Sequence, residues 1–184
     1  YFKSSGNIEN LAFACKIVKN LKINDKVIIR AINKFKGLPH RQEIISSGKN
    51  FTCVNDSKAT SFDACQQSLN SYNNIYWILG GIPKYRDSFN LSKVSKKVIK
   101  AFIIGKHTSF FTQKLKNKIP YTLSYTLKNA VKNLCNELKN KQNLHNTILF
   151  SPAAASFDQF RNFEDRGKQF KNLIKGKSKI FFYV

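Results

Sequence analysis

Three polar clusters interrupt the hydrophobic runs of this chain and contain side chains suited to binding an anionic ligand. They are Gly37-Leu38-Pro39-His40-Arg41, Asn55-Asp56-Ser57-Lys58-Ala59-Thr60 and Ser151-Pro152-Ala153-Ala154-Ala155-Ser156-Phe157-Asp158-Gln159-Phe160. The second and third each follow a short β-branched or aromatic run and precede a helical pattern. In open α/β folds such strand-to-helix loops gather ligand-binding groups, and backbone N–H groups of the next helix bind anions.

Individual side chains in these clusters suit particular parts of a nucleotide or an amino acid. Arg41 suits phosphate or ribose oxygens because its donors form a planar fork, and the acceptor-only carboxylate of Asp56 suits a ribose diol. A cationic donor beside a hydroxyl, as at Lys58 and Thr60, suits a carboxylate. The alternative for Arg41 and Asp56 is a local ion pair at a domain junction. His40 has little support as a catalytic base, and a packing role is open to it.

Two asparagines near the start of the chain are a further candidate. Asn7 and Asn10 lie one turn apart on a predicted helix, so their amides share a face. An amide offers a donor and an acceptor, which complements the edge of an adenine base. The competing interpretation, which the residues alone favour, is that Asn7 caps the helix and Asn10 is solvated.

Alternating strand and helix patterns must position these clusters. Helices are predicted at 7–20, 25–35, 61–72, 108–117, 126–139 and 162–175. Strands are predicted at 42–46, 50–55, 75–79, 98–104 and 147–150, with a short strand near 119 and an edge strand at 179–184. The alternation predicts an α/β fold, a Rossmann-like mostly parallel sheet flanked by helices, with a domain boundary near Lys36.

The charge of the chain raises nucleic-acid binding as a competing function. Lys and Arg number 32 against 10 Asp and Glu among 184 residues, a net charge of +22. Nearly all of this excess is lysine, and no Arg-rich run or Arg–aromatic stripe accompanies it. A compositional bias toward A and T in the coding DNA is therefore the favoured explanation. A positive surface would also attract anionic substrates.

The sequence offers little for a metal site, a disulfide framework or a membrane span. Its four cysteines form no Cys-x-x-Cys pair, and no histidine lies at metal-ligand spacing from them. We expect structural thiols in a reducing cytoplasm. The longest apolar stretch, 75–82, is too short to cross a bilayer. Because the chain begins with Tyr1 and contains no methionine, we expect a piece of a longer soluble protein.

Taken together and in this order, the clusters resemble the C-terminal part of the Mur ligases, the amide-forming enzymes of peptidoglycan precursor synthesis. The resemblance covers nearly the whole chain. The family carries a His-Asn-x-x-Asn pattern whose asparagines Asn7 and Asn10 match, although Gly6 replaces the histidine. The resemblance implies that 1–36 are the last helices of a central ATP-binding domain and that 37–184 are the amino-acid-binding C-terminal domain.

The resemblance also implies site residues, none of them catalytic or metal-binding. At the ATP site it places Asn7, Asn10, Arg41 and Asp56. At the site of the incoming D-glutamate it places Lys58, Thr60, Lys84, Ser156, Phe157 and Phe163. Loop position alone distinguishes these lysines from solvated ones, and core packing is the alternative for both phenylalanines. Ser61 and Ala154 depart from residues common in the family, and Asp158 is expected to pair locally with Arg161.

The implied function is an ATP-dependent ligase that adds D-glutamate to UDP-N-acetylmuramoyl-L-alanine through an acyl phosphate. The Asn-Asp-Ser-Lys-Ala-Thr loop favours D-glutamate over the diamino acids that other family members add. ATP and Mg²⁺ are the implied cofactors, and the central domain is expected to bind most of both, because this chain lacks a Gly-x-x-x-x-Gly-Lys-Ser/Thr loop and a carboxylate cluster. The chain alone is therefore not expected to be active.

The same resemblance implies a cytoplasmic monomer with no nucleic-acid partner and no membrane insertion. The alternative is a basic α/β nucleic-acid-binding module, supported by the charge alone, whose affinity for duplexes would fall steeply with salt. A dinucleotide-dependent oxidoreductase is excluded, because no Gly-x-Gly-x-x-Gly follows a predicted strand.

Overall fold

A computed structural model describes residues 5–139 and 144–177. The chain divides into two compact units, Tyr1–Leu38 and Pro39–Val184. The assignment of these units to two enzyme domains stays a prediction.

The first unit consists of two helices, α1 (Ser5–Asn20) and α2 (Asp25–Lys34). α2 begins where the side chain of Asn24 accepts a hydrogen bond from the backbone N–H of Lys26 at 2.9 Å. Asn7 lies inside α1 and is buried, whereas Asn10 is exposed. The expected N-cap at Asn7 is therefore wrong, because a capping residue stands outside the helical backbone.

The second unit is an α/β fold built on one six-stranded sheet. Its strands are β1 (Glu43–Ser47), β2 (Phe51–Asn55), β3 (Ile75–Gly80), β4 (Val98–Ile104), β5 (Tyr121–Tyr125) and β6 (Asn146–Phe150). Their order is β1-β2-β6-β3-β4-β5, with β1 antiparallel to β2 and every other neighbouring pair parallel. The predicted fold class, a mostly parallel sheet flanked by helices, is confirmed.

Helices cover both faces of this sheet. They are α3 (Phe62–Ser71), α4 (Thr108–Leu115), α5 (Leu127–Leu138) and α6 (Phe163–Lys175), and a single 3-10 turn lies at Ser95–Lys97. One buried cluster joins α3 and α4 to the sheet, and a second joins α5 and α6 to the other face. All of β3 is buried, with Trp77 and Leu79 in the first cluster and Tyr76 and Ile78 in the second. This alternation is the pattern of a central strand covered on both faces.

The short strand expected near Ile119 lies further along the chain. Ile119 is buried in the turn after α4, where its N–H donates to the carbonyl of Leu115. The strand that follows is β5, which begins at Tyr121. Tyr121, Leu123 and Tyr125 on β5 are exposed. The apolar side chains of this edge strand face outward, so the alternation of apolar and polar residues along β5 does not predict which of its side chains are buried. The edge strand expected at 179–184 lies outside the described residues.

The four cysteines are free thiols, as expected for structural cysteines. Cys53 and Cys65 are fully buried in the two clusters, and burial raises the pKa of both thiols well above its usual value.

Candidate functional site

The candidate site lies at the carboxyl edge of the sheet, where the strand order brings three predicted loops together. β2, β6 and β3 are neighbours in that order. The loops that follow these strands carry every residue predicted to bind D-glutamate, and the last of them, Phe163, is the first residue of α6. Carboxyl ends of adjacent parallel strands form a crevice in which α/β proteins bind ligands.

Backbone pairing joins the loop after β3 to the loop after β6. Ile82 and Ala155 exchange two backbone hydrogen bonds of 2.9 Å each, and the N–H of Gly80 donates to the carbonyl of Pro152 at 2.9 Å. Lys84 lies two residues beyond this pairing, and Ser156 lies one residue beyond it. The side chain of Lys84 is exposed, whereas Ser156 is buried.

Further contacts tie the loop after β6 to β4 and β5. Asp158 accepts a hydrogen bond from the N–H of Lys106 at 3.0 Å, and the side-chain amide of Gln159 donates to the carbonyl of Tyr125 at 2.8 Å. The expected pair between Asp158 and Arg161 is not formed among the described residues. These two hydrogen bonds anchor the loop after β6 to β5 and to the residues that follow β4.

The loop after β2 meets the start of α6. The ammonium of Lys58 lies 4.1 Å from the ring centroid of Phe163, a cation–π contact, and the hydroxyl of Ser57 donates to the carbonyl of Phe163 at 2.8 Å. The side chain of Ser61 caps α3, as predicted, by accepting from the N–H of Ala64 at 3.4 Å. The structure thus brings Lys58 and Phe163 together.

The two predicted aromatic residues differ in their surroundings. Phe157 is 70% exposed, so core packing is wrong as its alternative role. Phe163 is half-buried, and its ring also meets the ring of His40 edge-on at 6.5 Å between centroids. Thr60 is half-buried as well. The binding roles of all three site residues stay predictions.

Asp56 is buried beneath the loops. Its carboxylate accepts hydrogen bonds from the hydroxyls of Ser68 at 2.6 Å and Ser151 at 2.8 Å and from the N–H of Gln42 at 3.1 Å. Burial raises the pKa of Asp56 to about 6, although these hydrogen bonds oppose the shift. Among the residues in 5–139 and 144–177, Asp56 and Arg41 form no ion pair within 4.0 Å, although the charge of Arg41 also opposes the rise in the pKa of Asp56.

Asp56→Asn is expected to change how stability depends on pH. Folding raises the pKa of Asp56 from 3.8 to about 6, so the folded state disfavours the ionised carboxylate. The stability that Asp56 contributes is present below about pH 4 and falls by about 3 kcal/mol as the pH rises through the folded value. Urea unfolding of both proteins at several pH values between about 4 and 7 measures this difference. A difference between wild type and variant that does not change with pH would contradict the expectation.

His40 is a packed residue that joins β2 to α6. It is buried, and its ring Nδ1 accepts a hydrogen bond from the side-chain amide of Asn55 at 2.9 Å. The backbone N–H of His40 donates to the carboxylate of Glu43 at 3.0 Å. Burial lowers the pKa of His40. A Cβ at Gly167 would lie 2.2 Å from His40 Nδ1, so α6 approaches this ring closely only because Gly167 has no side chain.

Sequence reasoning missed Arg166 and Gly167 as residues that shape this edge. It included Asn55 in the second polar cluster but gave that side chain no role of its own. Arg166 is fully buried although it stands in a run of charged residues that reads as a solvated helix face. The described residues contain no group of three His, Cys, Asp or Glu side chains placed to bind a metal ion. Within them, no helix has the length and hydropathy needed to cross a membrane.

The chain is similar in sequence to curated ligases from several bacteria. A UDP-N-acetylmuramoylalanine–D-glutamate ligase of Wolbachia sp. subsp. Brugia malayi is 42% identical over 172 residues, which is 93% of this chain and 34% of the relative. The ligase of the same name from Agrobacterium fabrum is 37% identical over 91% of this chain and 36% of its own length. The chain thus spans about a third of the length of the curated relatives it matches. No family model matches it.

A solved structure has the same fold. The crystal structure of the UDP-N-acetylmuramate-alanine ligase of Thermotoga maritima superposes with a TM-score of 0.66 over 95% of this chain and 39% of that chain. The sequences are 16% identical, so this likeness supports the architecture alone.

Proposed function

We infer that this chain, which is homologous to the C-terminal third of the Mur ligases, supplies the amino-acid site of a D-glutamate-adding ligase. The proposed reaction joins D-glutamate to UDP-N-acetylmuramoyl-L-alanine with ATP. The observation that carries this proposal is the sheet order β2-β6-β3, which gathers the loops bearing all six predicted D-glutamate residues at one edge. The names and identities of the relatives support the choice of amino acid.

The proposed role of this chain is to hold the incoming amino acid. The ammonium groups of Lys58 and Lys84 and the hydroxyls of Thr60 and Ser156 would bind its two carboxylates, which leaves the amine free to react. ATP transfers its γ-phosphoryl group to the carboxylate of the other substrate, which gives an acyl phosphate and ADP. The amine then attacks the acyl carbon, the amide forms, and inorganic phosphate leaves. Holding the amine in one orientation accelerates this attack.

One side of the ATP site is also proposed for this chain. The candidate residues in the second unit are Arg41 and Asp56. In the first unit, Asn7 and Asn10 are proposed separately as nucleotide-binding candidates. Arg41 is half-buried and forms no salt bridge within the described ranges, and its charge acts on the buried carboxylate of Asp56. Mg²⁺ would be held mainly by the rest of the enzyme, since the described residues contain no group of three His, Cys, Asp or Glu side chains placed to bind a metal ion.

Arg41→Ala in the full-length protein that contains this chain is expected to raise the KM for ATP about tenfold. The loss of one charge-assisted contact with phosphate or ribose oxygens has this size. The KM for D-glutamate should change by less than about twofold. Arg161→Ala, which removes an exposed arginine, is the matched control. An unchanged KM for ATP would remove Arg41 from the nucleotide site.

The whole proposal is tested by phosphate release from the full-length protein. The assay contains ATP, Mg²⁺ and UDP-N-acetylmuramoyl-L-alanine with D-glutamate, L-glutamate or a diamino acid. Release only with D-glutamate supports the proposal, and release only with another amino acid replaces the substrate. No release with any of them, together with salt-dependent binding to duplex DNA, would favour the nucleic-acid-binding module instead. The proposal includes a cytoplasmic location and a monomeric state, and gel filtration of the active protein checks the monomeric state.

A further inference from the structure

Arg166 on α6 is a fully buried arginine whose hydrogen bonds, among the described residues, go to a hydroxyl and two carbonyl oxygens rather than to a carboxylate. Its side chain is 0% exposed, and among the described residues it forms no ion pair. Burial lowers the pKa of Arg166 to about 10, and the charge of Asp158 opposes this shift in part, so the guanidinium remains protonated at neutral pH. A buried charge is costly unless neighbouring groups compensate it. Here the carboxylate of Asp158 and the three hydrogen-bond acceptors compensate the guanidinium.

The guanidinium joins two of the three loops at the carboxyl edge. Its Nε donates to the hydroxyl of Ser57 at 3.0 Å, its Nη2 donates to the carbonyl of Ser57 at 2.8 Å, and its Nη1 donates to the carbonyl of Ala154 at 3.0 Å. The same hydroxyl of Ser57 donates to the carbonyl of Phe163 at 2.8 Å. One side chain thus holds the loop after β2, the loop after β6 and the start of α6 in one arrangement.

The residues that Arg166 holds are next to predicted ligand-binding residues. Ser57 directly precedes Lys58, and Ala154 stands two residues before Ser156. The acceptors include two carbonyl oxygens, whose partial negative charge would disfavour a nearby carboxylate. A guanidinium bound to both oxygens offsets that charge, and it does so in a buried region where electrostatic interactions are weakly screened.

We propose that Arg166 is a positioning residue for an anionic amino acid. Acting through Ser57 and Ala154, it sets the spacing of Lys58 and Ser156, and its buried positive charge favours a dicarboxylate over a neutral analogue. This inference rests on the proposed function and deepens it, because it assigns the selectivity for charge to a residue that lies behind the loops.

Two substitutions separate the hydrogen-bonding geometry of the Arg166 guanidinium from its charge. Arg166→Lys keeps the charge but cannot reach three acceptors, and Arg166→Met removes both. In the full-length enzyme, Arg166→Lys is expected to raise the KM for D-glutamate about tenfold and to keep the preference for D-glutamate over D-glutamine. Arg166→Met is expected to raise this KM further and to reduce that preference about tenfold. The KM for ATP should stay within about twofold in both.

Arg161→Met is the matched control, because it removes the same charge from an exposed position close by. A purely structural role would lower the melting temperature and the amount of active enzyme but leave the KM and the preference of the folded fraction unchanged. That result would overturn the proposal. If Arg166→Met does not fold, Ser57→Ala removes only the Nε acceptor and the link to Phe163, and the same rise in the KM for D-glutamate is expected.

Hydrogen exchange of the 184-residue chain provides a readout that does not depend on activity. The N–H groups of Lys58, Ala59 and Ala155 all donate to backbone carbonyls in or beside the loops. In Arg166→Lys, exchange at these amides should accelerate more than at amides of β3 and β4. If the full-length protein shows no D-glutamate-dependent activity, faster loop exchange in this chain would still support the positioning of the loops, whereas the proposed function would be defeated. Unchanged loop exchange would overturn the positioning role itself.

Discussion

Alanine at Gly80 is expected to destabilise the second unit by about 3 kcal/mol or more. Gly80 ends β3 with a φ of +131°, a conformation that side-chain-bearing residues rarely adopt. A Cβ there would lie 2.0 Å from the carbonyl oxygen of Ile104, its partner on β4. Gly80 and the carbonyl of Ile104 belong to the backbones of paired strands and cannot rotate away as a side chain would. β3 and β4 must therefore separate to accommodate a methyl group. Urea unfolding of the chain measures the loss.

Gly176→Ala is the control for this prediction. Gly176 has a φ of −66°, and the nearest atom to a Cβ there would be the carbonyl oxygen of Asn172 at 3.5 Å, an ordinary contact. Its alanine variant should be within about 0.5 kcal/mol of wild type, or slightly more stable. Similar free energies of unfolding for the two variants would contradict the conformation assigned to Gly80.

Lys84→Ala in the full-length protein is expected to raise the KM for D-glutamate roughly ten- to hundredfold. Hydrogen bonds to charged groups contribute about 1.5–3 kcal/mol, and each 1.4 kcal/mol is a factor of about ten. Lys84 is exposed and has no ion pair in the described part of the chain, so its ammonium is available to a ligand. The pairing of Ile82 with Ala155 keeps its loop beside Ser156. Initial-rate kinetics with each substrate varied in turn measure the effect.

Lys93→Ala is the matched control, since Lys93 is an exposed lysine further along the same connection between β3 and β4. It should leave both KM values within about twofold of wild type. Lys84→Ala should also leave the KM for ATP nearly unchanged. If the two KM values rise equally in Lys84→Ala, the assignment of this lysine to the D-glutamate site is wrong.

Local sequence predicted most elements of the second unit because their signals are short-range. Ser61 and Asn162 cap their helices through hydrogen bonds to N–H groups three residues ahead. The apolar run of β3 and the Gly80-Gly81 pair that ends it were likewise readable as a buried strand. β5 was misplaced because Tyr121, Leu123 and Tyr125 face outward on an edge strand, so its apolar alternation gave no information about burial.

The candidate site combines local and long-range information. Residue type and loop position were enough to select Lys58, Lys84 and Ser156 as candidates, and their order along the chain carried the family resemblance. Lys58 and Phe163 are far apart in sequence. Their contact forms because β2 and β6 are neighbouring strands of the sheet. The same is true of the burial of Asp56, whose hydroxyl partner Ser151 lies 95 residues away.

The sequence by itself determined the fold class, the helix and strand periods, the cap at Ser61, and the residue types available for an anionic ligand. These features follow from interactions between residues a few positions apart. Only the tertiary structure decided the strand order, the burial of Asp56 and the position of Arg166 behind the loops. A charged residue in a polar helix resembles a solvated one until the chain has folded. Arg166 meets Ser57 across 109 residues, and no local pattern records whether water or another loop will surround its guanidinium.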